Sequence, residues 1–232
     1  MIFEKLKIGK IYLSNKIVVS AMCQYSAKKG CPTEWHYSHL GSLAASGAGM
    51  LTIESTAVNM KGRITHADLC LQSKKQFLEM KKLFLFLKNI SNIPICLQIA
   101  HAGRKGSSHI PWIKSNSPLK KNQSSWKTFS ASSIKKDVGW PCPEELTQKH
   151  IEDIIKDYAH TIKLAKKIGF EAIEIHMAHG YLLHQFISPI SNKRSDIFGG
   201  NLENRLRLPK LIIKEAKKYW PKNKILGARI TA

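Results

Sequence analysis

Several features that would assign a protein to a class are missing from this 232-residue sequence. No apolar run approaches the roughly 18–20 residues that a membrane-spanning helix needs, and the first residues, MIFEKLKIGK, lack the long apolar stretch of a secretory signal. We therefore expect a soluble, cytoplasmic protein. The five cysteines form no CxxC pair and are odd in number, which argues against a disulfide framework and fits a reducing compartment.

Acidic residues are also scarce. The sequence has 16 Asp and Glu and 37 Lys and Arg, which gives a formal net charge of +21. With this charge, nucleic acid and an acidic membrane surface must be considered as partners. However, the positive charge is mostly lysine, scattered over helix-like stretches such as IIKDYAHTIKLAKKIGF at 154–170. We interpret these lysines as solvated helix faces and expect neither a nucleic acid nor a membrane as partner.

Short β-branched runs alternate with longer amphipathic ones along the chain. This pattern predicts strands at 16–22, 50–58, 93–103, 170–180 and 224–232, helices at 34–49, 73–90, 147–169 and 201–220, and a small hairpin at 6–15. We expect Pro209 either to kink the last helix or to lie in its first turns. Four strand-then-helix units predict a parallel sheet, and strands that we interpret as apolar on both faces predict a sheet covered on both sides.

Two parallel architectures compete for this pattern. A doubly wound sheet normally carries a GxGxxG turn after its first strand, and nothing like it follows KIVVSAM at 16–22. A TIM (β/α)8 barrel needs eight units, typically in about 250 residues. We therefore expect residues 1–232 to form the N-terminal portion of a single α/β TIM-barrel domain, incomplete, with about five of its eight strands. Residues 104–143, rich in Ser, Lys, Pro and Trp, are expected to be a long functional loop after strand three.

Polar side chains concentrate where the predicted strands end, and in a parallel barrel these ends share the face that carries the chemistry. They are Ser20, Cys23 and Tyr25 at the end of the first strand, Glu54, Ser55 and Thr56 at the end of the second, Gln98, His101 and Arg104 at the end of the third, His176, His179 and Tyr181 at the end of the fourth, and Arg229 in the fifth. A barrel core alone would not need these groups, so we expect a functional site.

His176 and His179 leave three interpretations open. With Glu174 they form a weak metal-binding pattern. They also fit structural histidines, or neutral donors to a substrate oxygen, which act where negative charge accumulates. We favour the donors and expect no metal. Tyr181 is either a proton donor through its phenol or an amphipathic rim residue.

Three further side chains need partners or a role. Gln98 lies in an apolar strand and needs partners for both ends of its amide, which a flat heterocycle with adjacent donors and acceptors would supply. Arg229 needs an anionic or electron-rich partner, or else an internal ion pair with Glu54 or Glu174. Cys23 is either a nucleophile or an inert buried thiol.

Five stretches of the sequence resemble the old yellow enzyme family of FMN-dependent NADH:flavin oxidoreductases, and most closely its NADPH dehydrogenase and xenobiotic reductase-like branch. They are NKIVVSAMCQYS, GMLTIESTAVNMKGRI, LQIAHAGRK, EIHMAHGYLLHQFISPISNKRSDIFGGNLENR and ARITA. Ala21 and Phe198 depart from the Pro and Tyr that are usual there. The resemblance covers this whole chain but only part of a family member. We therefore expect a C-terminally truncated member that lacks the loops binding the FMN phosphate.

The resemblance implies a TIM barrel that holds FMN, accepts hydride from NAD(P)H and reduces activated alkenes such as enones. Carried over position by position, the flavin-binding residues are Ser20, Ala21, Met22, Cys23, Ser55, Gln98 and Arg229, and Cys23 would tune the redox potential of the ring. The catalytic residues are Tyr25, His176, His179 and Tyr181. Of these, the two histidines would hold the substrate carbonyl, Tyr25 would contact substrate, and Tyr181 would protonate the α-carbon.

The expected partners are an enone-like small molecule and either a second copy of the chain or a C-terminal completing polypeptide. The alternative function is that of a non-catalytic fragment or subunit of a split old-yellow-enzyme-like protein.

Overall fold

The computed structural model describes residues 1–231, so Ala232, the last residue of the fifth predicted strand, lies outside the described residues. The strands are β1 (Leu6–Ile8), β2 (Ile11–Leu13), β3 (Val18–Val19), β4 (Met50–Ala57), β5 (Leu69–Cys70), β6 (Ile95–Ala100), β7 (Phe129–Ser130), β8 (Glu144–Glu145), β9 (Ala172–Met177) and β10 (Ile225–Ile230). The helices are α1 (Glu34–Ala44), α2 (Lys74–Ile90), α3 (Gln148–Ile168), α4 (Leu182–Ile187), α5 (Leu202–Arg205) and α6 (Arg207–Tyr219).

The main sheet is parallel, and its strand order decides between the two architectures. The strands lie in the order β10-β9-β6-β4-β3, with β5 pairing additionally with β4. Each strand of this path lies beside the one that precedes it along the chain, and the order never reverses as it does in a doubly wound sheet. The sheet is therefore part of a TIM-type barrel, which confirms the predicted fold class. Strands β3 and β10 end the path.

The two faces of the sheet differ in polarity. The side chains of β6 and β9 that belong to the hydrophobic core against the helices are Ile95, Leu97, Ile99, Ile173, Ile175 and Met177. Between them, the side chains on the opposite face are Cys96, Gln98, Glu174 and His176. The expectation of strands apolar on both faces is therefore wrong. The strands alternate with a period of two, and the face turned away from the helices carries groups that need hydrogen-bond partners.

The long helices begin and end at residues suited to those positions. The Ser73 hydroxyl accepts a hydrogen bond from the backbone of Gln76 at the start of α2, and the Thr147 hydroxyl does the same at α3. Gly169 ends α3 with φ at +121°, and a Cβ there would lie 3.1 Å from the Phe84 ring. Glycine is required at this turn both for its backbone angle and for space. None of the helices within residues 1–231 has the length and apolarity needed to cross a membrane.

All the predicted elements are present, but two of them differ in extent, and the short elements α4, β5, β7 and β8 were not predicted. The hairpin at 6–15 is present as β1 and β2, but the first predicted strand is reduced to Val18–Val19. The last predicted helix is divided at Leu206 into α5 and α6, with Pro209 in the first turn of α6, where its missing N–H costs nothing. Helix α4 was not predicted because its six residues are too few to establish a helical period.

A buried arginine ties the segment after α4 to the body of the domain. The Arg194 side chain donates through Nη1 to the carbonyls of Ala131, at 3.0 Å, and Leu146, at 2.8 Å. It also forms a two-pronged ion pair with Asp196. Since Ala131 follows β7 and Leu146 precedes α3, one guanidinium holds three parts of the chain together.

We predict that Arg194→Leu lowers the free energy of unfolding by about 2–4 kcal/mol, because it leaves two buried carbonyls without their donor and also removes the ion pairs with Asp196 and Glu145, which are both about half exposed. Urea denaturation measures the change. The control is Lys82→Ala, which removes an exposed ion pair with Glu79 and should change stability by no more than about 0.5 kcal/mol. Equal effects of the two substitutions would show that the Arg194 network is not structural.

Candidate active site

A β-bulge in β4 places two polar residues opposite a single residue of β6. The pairing of β4 with β6 joins Ile53 to Leu97 and then Thr56 to Ile99. Glu54 and Ser55 thus lie together opposite Gln98. Bulges of this kind redirect side chains and are frequent beside active sites. Both residues are buried. The bulge therefore places two buried polar side chains next to Gln98 on the polar face of the sheet.

Gln98 is bonded at only one end of its amide. Its Nε2 donates to Glu174 Oε1 at 2.6 Å, and the two residues are register partners on β6 and β9. This is the one hydrogen bond of the Gln98 side chain to any group within residues 1–231, although the residue is only 3% exposed. The carbonyl oxygen of this buried residue therefore has no protein donor and keeps access to solvent, so a ligand on this face could bond it.

The two histidines form a directed chain of hydrogen bonds. The backbone N–H of Ala178 donates to His176 Nδ1 at 3.2 Å, and His176 Nε2 lies 3.2 Å from His179 Nδ1. Burial lowers the pKa of His176 to about 4, with smaller contributions from His179 and Arg229, so the ring is neutral at pH 7. With its Nδ1 accepting, His176 carries its proton on Nε2 and donates it to His179.

The consequence is that the two imidazoles have different roles. Burial also lowers the pKa of His179, helped by the charges of Arg229 and Lys105. A neutral His179 that accepts at Nδ1 has its proton on Nε2, and its side chain is exposed. In this arrangement the outward donor is His179 Nε2, while His176 lies behind it and fixes its tautomer.

Tyr181 and Lys105 lie beside the histidine pair. The Tyr181 ring meets the His176 ring edge to face, with centroids 4.9 Å apart, and burial raises the pKa of its hydroxyl. Lys105 donates from Nζ to the His179 carbonyl at 2.6 Å and lies 5.5 Å from the centre of the Tyr181 ring. Sequence reasoning missed Lys105, whose only signal is its position directly after the HAGR motif at the end of β6.

Arg229 is a cation whose expected protein partners are already engaged. It is the register partner of His176 and half-buried. Glu54, one of the two acidic residues proposed to pair with it, bonds His36 through Oε1 at 3.0 Å, and the other, Glu174, bonds Gln98. The internal ion pair that the sequence left open does not form with either residue. Arg229 instead adds positive charge beside both imidazoles, which lowers their pKa values.

The four residues after β3 run along the same site. Ser20 and Met22 are exposed, whereas Ala21 and Cys23 are half-buried. The backbone N–H of Gln24 donates to Glu54 Oε2, which fixes the end of this segment to the bulge. The sequence analysis included Glu54 among the strand-end residues but not His36, because the contact between them joins α1 to β4 and cannot be predicted from the sequence.

Cys23 and Tyr25 interact with each other at the end of this segment. Burial raises the pKa of the Cys23 thiol, and the charges of Asp68 and Glu54 raise it further. Burial likewise raises the pKa of Tyr25, whose φ of +48° is unusual for a side chain of this size. A thiol whose pKa is raised by burial is a poorer nucleophile than an exposed one, so the surroundings of Cys23 favour the inert interpretation of this residue.

The metal site that the sequence left open needs Glu174 as a third ligand beside the two histidines. Glu174 is engaged by Gln98, and within residues 1–231 no three His, Cys, Asp or Glu side chains come close enough together to hold a metal ion. The structure thus brings Gln98, His176, His179 and Arg229 to one polar face, with Ser55 beside Gln98 at the bulge.

Comparison with known proteins gives one family throughout. The chain matches the NADH:flavin oxidoreductase / NADH oxidase family over residues 1–232. It is 38% identical to an NADH:flavin oxidoreductase of Gibberella zeae over 234 residues, covering 100% of this chain and 56% of that protein. It is 38% identical to an NADPH dehydrogenase of Listeria monocytogenes over 221 residues, covering 94% and 60%. The chain thus spans less than two thirds of the length of these curated relatives.

Solved structures show the same fold. Morphinone reductase in complex with tetrahydroNAD superimposes with a TM-score of 0.85 at 20% identity, covering 99% of this chain and 63% of that one. The old yellow enzyme homologue of Zymomonas mobilis superimposes with a TM-score of 0.84 at 22% identity, covering 99% and 62%. At such identities the likeness establishes the fold.

The depressed pKa of His176 predicts a pH dependence of stability. The folded state binds this proton more weakly than the unfolded state, so the contribution of His176 is full above about pH 6.5 and is lost as the pH falls through the folded value of about 4. Between about pH 7.5 and 4.5 the wild type should lose about 2–3 kcal/mol more than His176→Asn in urea denaturation. His160→Asn, which changes an exposed histidine, is the control. A loss in His176→Asn as large as in the wild type would contradict the assignment.

Proposed function

Because the chain belongs to the NADH:flavin oxidoreductase / NADH oxidase family, we propose that it forms the FMN-binding part of an oxidoreductase that uses NAD(P)H to reduce activated alkenes. The observation that supports this most strongly is the one-sided bonding of Gln98, which leaves the amide oxygen of a buried residue without a protein donor but accessible from solvent. The family's flavin ring presents N–H groups beside carbonyl oxygens, and an amide is matched to both.

The other residues of the site also fit a flat ring that becomes negative on reduction. Arg229 supplies a cation on the same face, on the strand next to that of His176, and Ser55 lies opposite Gln98 at the bulge. Ser20, Ala21, Met22 and Cys23 follow β3 as an irregular segment along one edge of this face. FMN, when bound, supplies reversible two-electron hydride chemistry.

The protein's own residues then act on the substrate. His179 donates from Nε2 to a carbonyl oxygen and polarises the conjugated alkene, while His176 holds the tautomer that makes this donation possible. Tyr181, whose raised pKa keeps it protonated at neutral pH, delivers a proton to the α-carbon. Tyr25 lines the substrate side, where the Trp112 ring lies edge-on to it at 5.7 Å.

We predict that Gln98→Leu weakens FMN binding about tenfold, as expected for the loss of the hydrogen bonds of one buried amide. Quenching of FMN fluorescence on titration with protein measures the dissociation constant. Gln148→Leu is the matched control, since Gln148 lies exposed at the start of α3. If the wild type does not take up FMN, or if both variants bind it equally, the assignment of this face to a flavin is wrong.

We further predict that His179→Ala lowers kcat/KM for an enone such as cyclohexenone about 100-fold or more, because one preorganised donor to the carbonyl oxygen is lost. Bleaching of the flavin by NADPH alone should be nearly unchanged, since that half-reaction has no carbonyl to polarise. The measurement is NADPH consumption with and without enone. FMN uptake without any bleaching would favour the alternative of a non-catalytic fragment or subunit.

A further inference from the structure

A pocket that shares no lining residue with the polar face described above is lined by cations. It lies between the segment after Tyr25, the segment after β4 and the start of α2, and its volume is about 650 Å³. Its basic lining residues are Lys28, Lys29, Arg63, His66 and Lys75. In the part of the chain that the structure describes, no Asp or Glu lines this cationic pocket. A concavity of one sign of charge concentrates anions.

The cationic pocket contains a buried arginine with one free nitrogen. Arg63 is 8% exposed, and it donates from Nε to the Met60 carbonyl and from Nη1 to the His66 carbonyl, both at 3.0 Å. Its Nη2 has no hydrogen bond to any group within residues 1–231 and keeps access to solvent. Since Met60 and His66 also line the pocket, the guanidinium is fixed in the pocket wall with two N–H groups left for a ligand.

The charge of Arg63 is not neutralised by a neighbouring carboxylate. Asp68 influences the pKa of Arg63, but it accepts hydrogen bonds from the Ile64 N–H and the Thr65 hydroxyl, both at 2.6 Å, and forms no ion pair with the guanidinium. Burial lowers the pKa of Arg63, and the influence of Asp68 does not offset this. A buried cation without an anionic partner is costly, and an anion bound in the pocket would reduce that cost.

The three lysines of the cationic pocket are also without acidic partners. Among residues 1–231, Lys28, Lys29 and Lys75 take part in no ion pair. Lys75 lies in the first turn of α2, where the N–H groups have no acceptor inside the helix and carry partial positive charge. A lysine there is unfavourable for the helix, whereas an anion beside it would be favourable.

The turn that carries Lys28 and Lys29 is held in place before any ligand binds. Lys28 pairs with Cys31, and φ is +52° at Lys29 and +79° at Gly30, a backbone at which Asn and Gly are preferred to Lys. Gln76 donates from Nε2 to the Lys29 carbonyl at 3.2 Å, and a Cβ at Gly30 would lie 2.6 Å from the same nitrogen. The turn is thus fixed against the start of α2, and its ordering costs little when a ligand binds.

We propose that the cationic pocket binds a phosphate group, either as free phosphate or as part of a small phosphomonoester. Arg63 donates from Nη2 to a phosphate oxygen. The ammonium groups of Lys28, Lys29 and Lys75 balance the charge of about −1.5 to −2 that a phosphomonoester carries at neutral pH. Because the ligand binds only the folded chain, it also stabilises the fold. This site goes beyond the proposed oxidoreductase function and does not depend on it.

The test uses the intact chain without flavin. Sodium phosphate, glycerol 3-phosphate and glycerol are titrated separately into the protein in a calorimeter at constant ionic strength. We expect phosphate to bind with a dissociation constant of about 1 mM or below and glycerol not to bind. Equal affinities for phosphate and glycerol 3-phosphate would support the site and identify the phosphate group alone as the ligand. Tighter binding of the ester would support the site and identify a phosphomonoester.

Two substitutions remove charge from the cationic pocket without harming the fold. Asn suits the positive φ at Lys29, and an acidic residue in place of Lys75 suits the first turn of α2. We expect Lys29→Asn with Lys75→Glu to weaken phosphate binding about tenfold or more, because both changes remove a cation from the anion. The matched control, Lys10→Asn with Lys149→Glu, makes the same change in net charge at exposed positions, and Lys149 is the second residue of α3 as Lys75 is of α2.

Thermal unfolding of the same proteins provides a second measurement. Phosphate should raise the Tm of the wild type and of the control variant and leave that of the pocket variant nearly unchanged, while without phosphate the pocket variant should be no less stable than the wild type. No phosphate binding by the wild type, an equal loss in the control variant, or glycerol binding as tightly as glycerol 3-phosphate would overturn the proposal. FMN uptake bears on none of these results, so the proposed function and this site stand or fall separately.

Discussion

A buried carboxylate at the bulge of β4 holds the parts of the candidate site together. Glu54 is 3% exposed, and its two oxygens accept hydrogen bonds from His36 and from the backbone of Gln24. His36 is fully buried, and its Nδ1 accepts from the backbone of Thr33 at 3.0 Å, so its Nε2 carries the proton given to Glu54. A carboxylate buried without these donors would be strongly destabilising. The contact therefore fixes the segment after β3, the start of α1 and the bulge relative to one another.

The same contact leaves other polar groups of the site available to a ligand. Glu54 is occupied by His36 and Gln24, and Glu174 is occupied by Gln98. Since both carboxylates near the polar face are engaged, neither neutralises Arg229, and Gln98 keeps its oxygen free. Polar groups that the fold leaves without a full set of partners reduce stability. Here they are concentrated on one face, and a polar, flat ligand bound to that face would supply the missing partners and offset the loss.

The parallel barrel and the family could both be predicted from the sequence, since alternating strands and helices and long motifs can be recognised along the chain. It did not predict which face of the sheet is polar, although the alternation at Cys96, Gln98, Glu174 and His176 carried that information. The bulge could not be predicted, because it depends on register between β4 and β6. The unequal roles of His176 and His179 could not be predicted from the sequence either. They follow from a backbone N–H of Ala178 reaching one ring nitrogen.

The long segment after β6 shows why connection length can carry function. Its backbone is held at several separate points, including Trp126 against Lys61 and Arg104 against the carbonyl of Ile134 at 3.1 Å. A segment fastened in this way keeps the Trp112 ring beside Tyr25 at the candidate site. Ordering these residues in advance removes an entropic cost that a mobile loop would incur each time a ligand bound. A ligand that contacts Tyr25 therefore meets a Trp112 ring on a segment that several bonds already hold to the domain.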